Sequence, residues 1–299
     1  MKSLIIGSIA IDNIYTPDAE YKNLIGGSAV YAGISAAKFG EVGVSGVIGA
    51  QMSEEIMEFL RANNVLCDYI EVKEGKTFSW SGRYLDDMNL RETISLDLGV
   101  FADFSPKLPE KSAEYVLLAN ISPELQGYVM GKMQGAFFML DTMDHWITEH
   151  RQDLVSMLKG IDLFLLNDSE AQLLSGKRNV IKAGREILAM GPSAVIVKKG
   201  EHGALLFVES DIFIAPAYPT ENAVDPTGAG DSFAGALLGR ISAMGFDKDR
   251  LIADMAYASA AASICVEGFG PYVLADASAD DICGRVRGFK KALGCNLLD

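Results

Sequence analysis

The 299-residue chain is 49% apolar and 22% charged, enough for one large α/β domain with at most a small appendage. Its 40 acids against 26 bases leave a net charge of −14, and no basic run offsets it, so nucleic acid and anionic lipid are excluded as expected partners. Cys67, Cys265, Cys283 and Cys295 form no C-x-x-C pair, and no stretch nears the ~20 apolar residues of a membrane span, so the expectation is a protein of the reducing cytoplasm without structural zinc.

SLIIGSIAI (3–11) reads as a first buried strand. GGSAVYAGISAAKFG (26–40) has small and apolar residues at helical spacing and stops at Gly40. VGVSGVIG (42–49) is a second strand, and Ser53 is placed to cap the helix EEIMEFLRANN (54–64). From Cys67 to Leu98 aromatic and β-branched residues alternate with polar ones, broken by Gly75 and DDMN (86–89), which is the period of hairpins with one wet face. Strand–helix alternation then returns. YVLLAN (115–120), AFFMLD (136–141), DLFLLND (162–168) and AVIVKKG (194–200) are apolar on both faces, as in a parallel sheet between helices. Asn120, Asp141, Asn167 and Lys198 fall at their carboxyl ends, where such sheets bind ligands. The predicted fold is a single three-layer α/β/α domain over residues 1–299 with a mainly parallel sheet. A small β lid is built from about 12–25 and 67–99.

The stretch AVDPTGAGDSFAGAL (223–237) carries the chemistry. A helix beginning near Gly230 leaves the amides of Gly228, Ala229 and Gly230 among its unsatisfied donors, an anion site, and glycine lets the backbone approach a ligand. Asp231 has two readings: a carboxylate that stabilises a helix N-terminus, or a general base that takes the proton of an attacking hydroxyl. A Walker loop is absent, because GKT at 75–77 would need a glycine where Ile70 stands, and no G-x-G-x-x-G occurs. NDSE (167–170) reads as a helix start, and VKKGEHGALLF (197–207) as a hairpin bending at His202-Gly203, with Lys198 free to meet a phosphate.

In order along nearly the whole chain these stretches resemble the ribokinase-like (PfkB) family of carbohydrate and nucleoside kinases. GSIAID (7–12), GGSAVYAGISAAKFG, NDSE, DPTGAGDSFAGALLG (225–239) and YASAAASICVEGFG (257–270) carry the likeness. The resemblance implies Mg²⁺-dependent transfer of the γ-phosphoryl group of ATP to a hydroxymethyl group. It implies Asp231 as base, with Gly228, Ala229 and Gly230 donating to the transferring group. Asn167, Glu170, Lys198, Gly200, Gly203 and Thr227 would lie near the nucleotide phosphates, Glu170 through a Mg²⁺-bound water, and Ser259 near the adenine. Asp225, Thr227 and the carbonyls of Cys265, Gly268 and Gly270 match a K⁺ site; Asp12, Gly26, Gly27, Ser28 and Tyr31 match acceptor positions. Ala10, Ser28 and Tyr31 stand where ribokinases carry Asn, Lys and Asn. That loss of hydroxyl partners shifts the expected acceptor from free ribose towards a nucleoside, whose base Tyr31, or Trp80, Tyr84 or Arg83 of the lid, would stack. Lid packing and a dimer surface are the competing uses of those side chains, and monomer and lid-clasped homodimer both stand. The alternatives are a kinase of this fold for inositol or a pyrimidine-type acceptor, and a catalytically silent nucleotide or sugar sensor.

Overall fold

The computed structural model describes residues 1–86, 88 and 91–293; Cys295 and part of the DDMN break lie outside them. In chain order the elements are β1 (Ser3–Ile6), β2 (Ala10–Tyr15), β3 (Glu20–Gly26), α1 (Ser28–Ala37), β4 (Val42–Gly49), α2 (Ser53–Ala62), β5 (Val65–Lys73), β6 (Phe78–Tyr84), β7 (Arg91–Asp97) and β8 (Tyr115–Leu118). There follow α3 (Pro123–Lys132), β9 (Phe137–Leu140), α4 (Asp144–Glu149), α5 (Arg151–Met157), β10 (Leu163–Asn167), α6 (Asp168–Ser175), α7 (Val180–Ala189) and β11 (Ala194–Lys198). The chain continues through β12 (Ala204–Val208), β13 (Asp211–Ala215), α8 (Ala229–Met244), α9 (Leu251–Cys265), α10 (Tyr272–Asp276) and α11 (Ala279–Leu293).

Nine strands form one sheet in the order β13-β12-β11-β10-β9-β8-β1-β4-β5, parallel from β11 to β5, with β12 and β13 added antiparallel at one edge. Successive side chains of a strand point to opposite faces, so a run that is apolar throughout feeds two cores. In β10, Leu163 and Leu165 join a cluster with α1, α8 and α9, while Phe164 and Leu166 join a second cluster with α3, α6 and α7. This is the expected three-layer α/β/α arrangement.

A separate four-stranded sheet, β3-β2-β6-β7, is the small β appendage. Two antiparallel hairpins, β2–β3 and β6–β7, are joined through a parallel β2–β6 pairing that sets Asp12 beside Trp80. Three boundaries differ from the sequence expectation. The run 3–11 is two strands in different sheets: Gly7 still donates to Ser45 O at 3.2 Å, but the Ser8 amide turns to Ser28 Oγ at 3.2 Å and the chain leaves the large sheet. The second lid segment starts at Phe78 and not at residue 67, because β5 pairs parallel with β4 from Val65 to Lys73. As an edge strand β5 is exposed on one face, so its alternation mimics a hairpin strand. Ser53 does not cap α2; Met52 takes that position and Ser53 Oγ donates back to Ala50 O at 3.0 Å, inside a preceding single turn.

Candidate active site

The anion loop turns on Gly228, the residue before α8, at φ +76°, a left-handed conformation that suits glycine. A Cβ there would stand 2.3 Å from the Tyr31 ring, so the backbone rides directly on that ring. The amides of Gly228 and Gly230 have no protein partner among the described residues, whereas Ala229 N closes a turn onto Pro226 O at 3.2 Å. The loop therefore offers two open donors beside a third already used, at the positive end of a 16-residue helix.

Asp231 lies in the first turn of that helix, partly exposed. Burial and the nearby Asp141 push its carboxyl up to about 7, against the pull of Lys198 and Arg91. A carboxylate that titrates near neutrality beside open amides is poised to accept a proton. Lys198, at the end of β11, bonds both oxygens of Asp141 at 3.0 and 3.1 Å, and its ammonium packs 3.2 Å from where a Gly230 side chain would begin. Burial works against its charge, but Asp141, Glu170 and Asp231 outweigh that and hold its pKa above the usual lysine value. In the sequence Asp141 shows only as a polar strand end; its pairing with Lys198 joins residues 57 positions apart and leaves no local signature.

Asn167 and Glu170 form a reciprocal cap: Glu170 N donates to Asn167 Oδ1 at 2.8 Å, and Asn167 N donates to Glu170 Oε2 at 2.7 Å. The helix start read from NDSE is thus present, and it fixes the Glu170 carboxylate facing Lys198. Burial pushes that carboxyl up to about 7, Lys198 opposes, and Asp141 adds to the rise.

Asp12 is 4% exposed on β2, and burial, then Asp225 and Asp231, raise its pKa to about 7 against a hydrogen bond from the Gly27 amide. A side chain at Gly26 would fall 1.9 Å from Asp12 Oδ2, so only glycine seats this carboxylate. Gly27 has φ +93° and lies 2.5 Å, by its missing Cβ, from Ser8 O. Ser28 is taken up locally, its hydroxyl accepting from Ser8 N and lying 3.2 Å from Ser8 Oγ. Tyr31 does not fit the base-stacking role expected of it. Its ring is 1% exposed and covered by Gly228, so no face is left for a ligand, and its hydroxyl is buried without a partner.

Asp225 Oδ1 accepts from Thr227 N at 2.9 Å, while Oδ2 is buried and unpartnered. Burial raises its pKa, and bonds from Thr227 and Gly270 oppose the rise. Cys265 Sγ donates to Thr227 O at 3.6 Å, burial pushes this thiol up to about 12, and its carbonyl accepts from Gly268 N at 3.4 Å. These residues converge as the sequence suggested, and an orphaned buried carboxylate oxygen there suits a cation. Ser259 is engaged on both sides, accepting from Tyr218 N at 3.2 Å and donating to Pro216 O at 3.1 Å, which pins the 216–218 segment to α9. Gly200 and Gly203 form the β11–β12 turn, at φ +53° and +83°.

A link absent from any motif crosses from the lid: Tyr84 Oη lies 2.9 Å from Thr227 Oγ1. Tyr84, 5% exposed, shares the site-facing side of β6 with Trp80, two positions of the same parity as the strand period requires. Arg83, of opposite parity, is exposed on the other side. Among the described residues no group of three or more His, Cys, Asp or Glu could hold a metal by itself, so a Mg²⁺ ion would rely on nucleotide phosphates and water together with Glu170. No helix among them is long and apolar enough to cross a membrane.

Residues 2–277 match the family described as pfkB family carbohydrate kinase. A cytidine kinase of Thermococcus kodakarensis is 28% identical over 79% of this chain and 86% of its own. Among solved structures, a Burkholderia thailandensis nucleoside kinase in complex with inosine superposes with TM-score 0.78 at 23% identity, covering 98% of each chain. An E. coli protein named as a ribokinase II and solved with ATP and Mg²⁺ gives TM-score 0.80 at 22% identity, over 96% of this chain and 99% of the other.

Proposed function

Since the chain belongs to the pfkB family of carbohydrate kinases and is an ATP-dependent phosphotransferase, we propose that it phosphorylates a hydroxymethyl group of a nucleoside, with Asp231 as general base. One observation carries the reading: a carboxyl held near neutrality at the start of α8, beside the open amides of Gly228 and Gly230.

Asp12, seated by Gly26 and hydrogen-bonded by the Gly27 amide, receives the hydroxyls of the acceptor sugar. With Tyr31 buried, the ring placed to meet a base is Trp80, which β2–β6 register puts beside Asp12. The cytidine kinase relative supports a base-bearing acceptor over a simple sugar. The hydroxyl oxygen attacks the γ-phosphorus in line as Asp231 takes its proton. The P–O bond to the β-phosphate breaks, and the Gly228 and Gly230 amides stabilise charge on the phosphoryl oxygens. Ala229 assists by fixing the turn rather than by donating. Asn167, Gly200 and Gly203 border the nucleotide, and Lys198 faces its phosphates. Mg²⁺, when bound, would supply charge neutralisation on those phosphates, and the Glu170 oxygen not used in capping is the one available to its waters. Asp225 Oδ2 and the backbone of Thr227, Cys265, Gly268 and Gly270 would hold a K⁺ ion, which would supply positive charge near the anion loop. Lid closure over the acceptor excludes water.

The test is ADP release with ATP and Mg²⁺, with and without K⁺, over nucleosides, pentoses, hexoses and inositols, with Asp231→Asn in parallel. Turnover confined to nucleosides and reduced ~10²–10⁴-fold in the variant is expected. Preference for a free sugar would overturn the acceptor, and near wild-type turnover in the variant would remove Asp231 from the base role.

A further inference from the structure

The small sheet shares its core with the loop that follows α9. Its buried side chains are Ile14, Leu24 and Tyr84, and Phe269 and Tyr272 of that loop pack against them beside Trp80 and Met88. A bulge in the first hairpin makes part of this contact. Leu24 pairs with Asp12 and Tyr21 with Ile14, so Lys22 and Asn23 together oppose Asn13. Asn23 has φ +58°, and its amide donates to Asn13 Oδ1 at 3.0 Å, which holds the extra residue in place. On a regular strand Tyr21 and Leu24, three positions apart, would face opposite ways; the bulge turns both to the side of Ile14. There the half-exposed Tyr21 ring stacks on Phe269, with centres 4.1 Å apart and planes at 26°. Beside it the Ile25 amide donates to Tyr272 Oη at 3.2 Å, and a Cβ at Gly270 would stand 3.6 Å from Leu24 Cβ. Phe269 is the residue between Gly268 and Gly270, so a shift of its ring moves both carbonyls read as cation ligands. The second hairpin meets the same region from another side, through Tyr84 Oη against Thr227 Oγ1, and the Thr227 amide donates to Asp225. Each hairpin of the lid thus touches a segment assigned to the cation.

We propose that Tyr21 and Phe269 are positioning residues that link occupancy of the monovalent-cation site to closure of the lid. The inference rests on the cation reading above and carries it from the anion loop to the acceptor side. A bound K⁺ gives the buried Asp225 Oδ2 a partner and fixes the 265–270 loop in one arrangement, the one that presents the Phe269 ring to Tyr21. The β2–β3 hairpin, which bears Asp12, then docks on that ring. An ion shifts such an equilibrium only by binding one arrangement better than the other. Linkage is reciprocal, so whatever K⁺ adds to closure, closure adds to K⁺ affinity. K⁺ would accordingly favour the acceptor, which the hairpin encloses, more than ATP.

The test uses K⁺ alone, against Li⁺ at constant ionic strength, with neither nucleotide nor acceptor. Thermal melts across a K⁺ titration give the half-saturating concentration. Hydrogen exchange of a peptide spanning residues 20–26 reports the lid, because it contains the Ile25 amide bonded to Tyr272. In the wild-type protein K⁺ is expected to raise the melting temperature and to slow that exchange; in Asp225→Asn it does neither. Tyr21→Ala is expected to raise the half-saturating K⁺ concentration by about 5–150-fold, the usual span for linked sites, although Tyr21 supplies no atom to the ion. Tyr21→Phe keeps the ring and should restore wild-type K⁺ affinity. A stack that only seals the lid predicts otherwise: Tyr21→Ala would then melt lower by the same amount in K⁺ and in Li⁺. Such an equal loss, with K⁺ affinity unchanged, overturns the inference and leaves the cation site standing. So does a K⁺ stabilisation of wild type that leaves exchange over 20–26 unaltered. If K⁺ does not stabilise wild type beyond Li⁺, the cation site falls and the linkage with it, while ADP release judges the kinase reading separately.

Discussion

Asp231→Asn should stabilise the free protein while stopping its chemistry. Burial and Asp141 hold the Asp231 carboxyl at about 7, against 3.8 for an unperturbed aspartate. The folded state thus binds this proton more tightly than the unfolded chain, so the contribution to stability is complete below pH ~4 and is lost as pH rises through 7. At pH 8 the loss reaches a ceiling of about 4 kcal/mol, three pKa units at 1.36 kcal/mol each; local relaxation and water entry leave on the order of 1–2 kcal/mol to be measured. Asparagine is uncharged at every pH and nearly the same shape, and its introduction also removes one of the charges that repel Asp12. At about 2–4 °C per kcal/mol for a chain approaching this size, the variant should melt roughly 2–8 °C higher at pH 8. The gap should shrink by about half at pH 5.5, where the wild-type carboxyl is already protonated in the folded state. Calorimetric melts of both proteins from pH 5.5 to 8.5, without nucleotide, make the comparison. A variant that melts at or below wild type at pH 8, or a gap that does not narrow on acidification, would refute the electrostatic account of this site.

Gly228→Ala forces a β-carbon to within 2.3 Å of the buried Tyr31 ring and holds alanine at φ +76°. Left-handed strain of about 1–2 kcal/mol and overpacking of about 1–3 kcal/mol should show in urea unfolding, with turnover lost as the amides shift. Asn167→Ala removes the reciprocal cap of α6. It should cost about 0.5–2 kcal/mol in the same assay and raise the KM for ATP, since Glu170 loses the bond that orients its backbone. Asp225→Asn puts an amide NH₂, a donor, where the orphaned Oδ2 stands and removes the charge. K⁺ stimulation of turnover, titrated against Li⁺ at constant ionic strength, should disappear in this variant.

The large sheet is legible in the sequence because its strands are apolar on both faces, a pattern only a doubly covered strand requires; Leu163 to Leu166 alternate between two cores without a polar break. The anion loop is legible because its glycines and Asp231 are contiguous. Less is written locally about β5. Its one exposed face is a property of lying at the sheet edge, and edge position depends on which strand arrives next to β4, not on the residues of β5. The burial of Tyr31 escapes for a similar reason: α1 alone shows an aromatic at a ligand-bearing position, and only the approach of Gly228, almost 200 residues later, covers the ring. The Asp141–Lys198 and Tyr84–Thr227 contacts join separate strands and separate sheets, so no window of sequence contains them.

The two hairpins of the small sheet both leave the chain before residue 98, whereas Asp141, Asn167, Glu170, Lys198 and the 225–231 loop come after it. Such a split lets the two halves evolve under different pressures. Substitutions along β2, β3, β6 and β7 can redraw the small sheet while Asp141, Asn167, Glu170, Lys198 and the 225–231 loop keep their packing. The seam between the halves includes Tyr84 Oη against Thr227 Oγ1, the Ile25 amide donating to Tyr272 Oη at 3.2 Å and the Tyr21 ring stacked on Phe269, and it is there that an exchange of whole lid hairpins between relatives would succeed or fail.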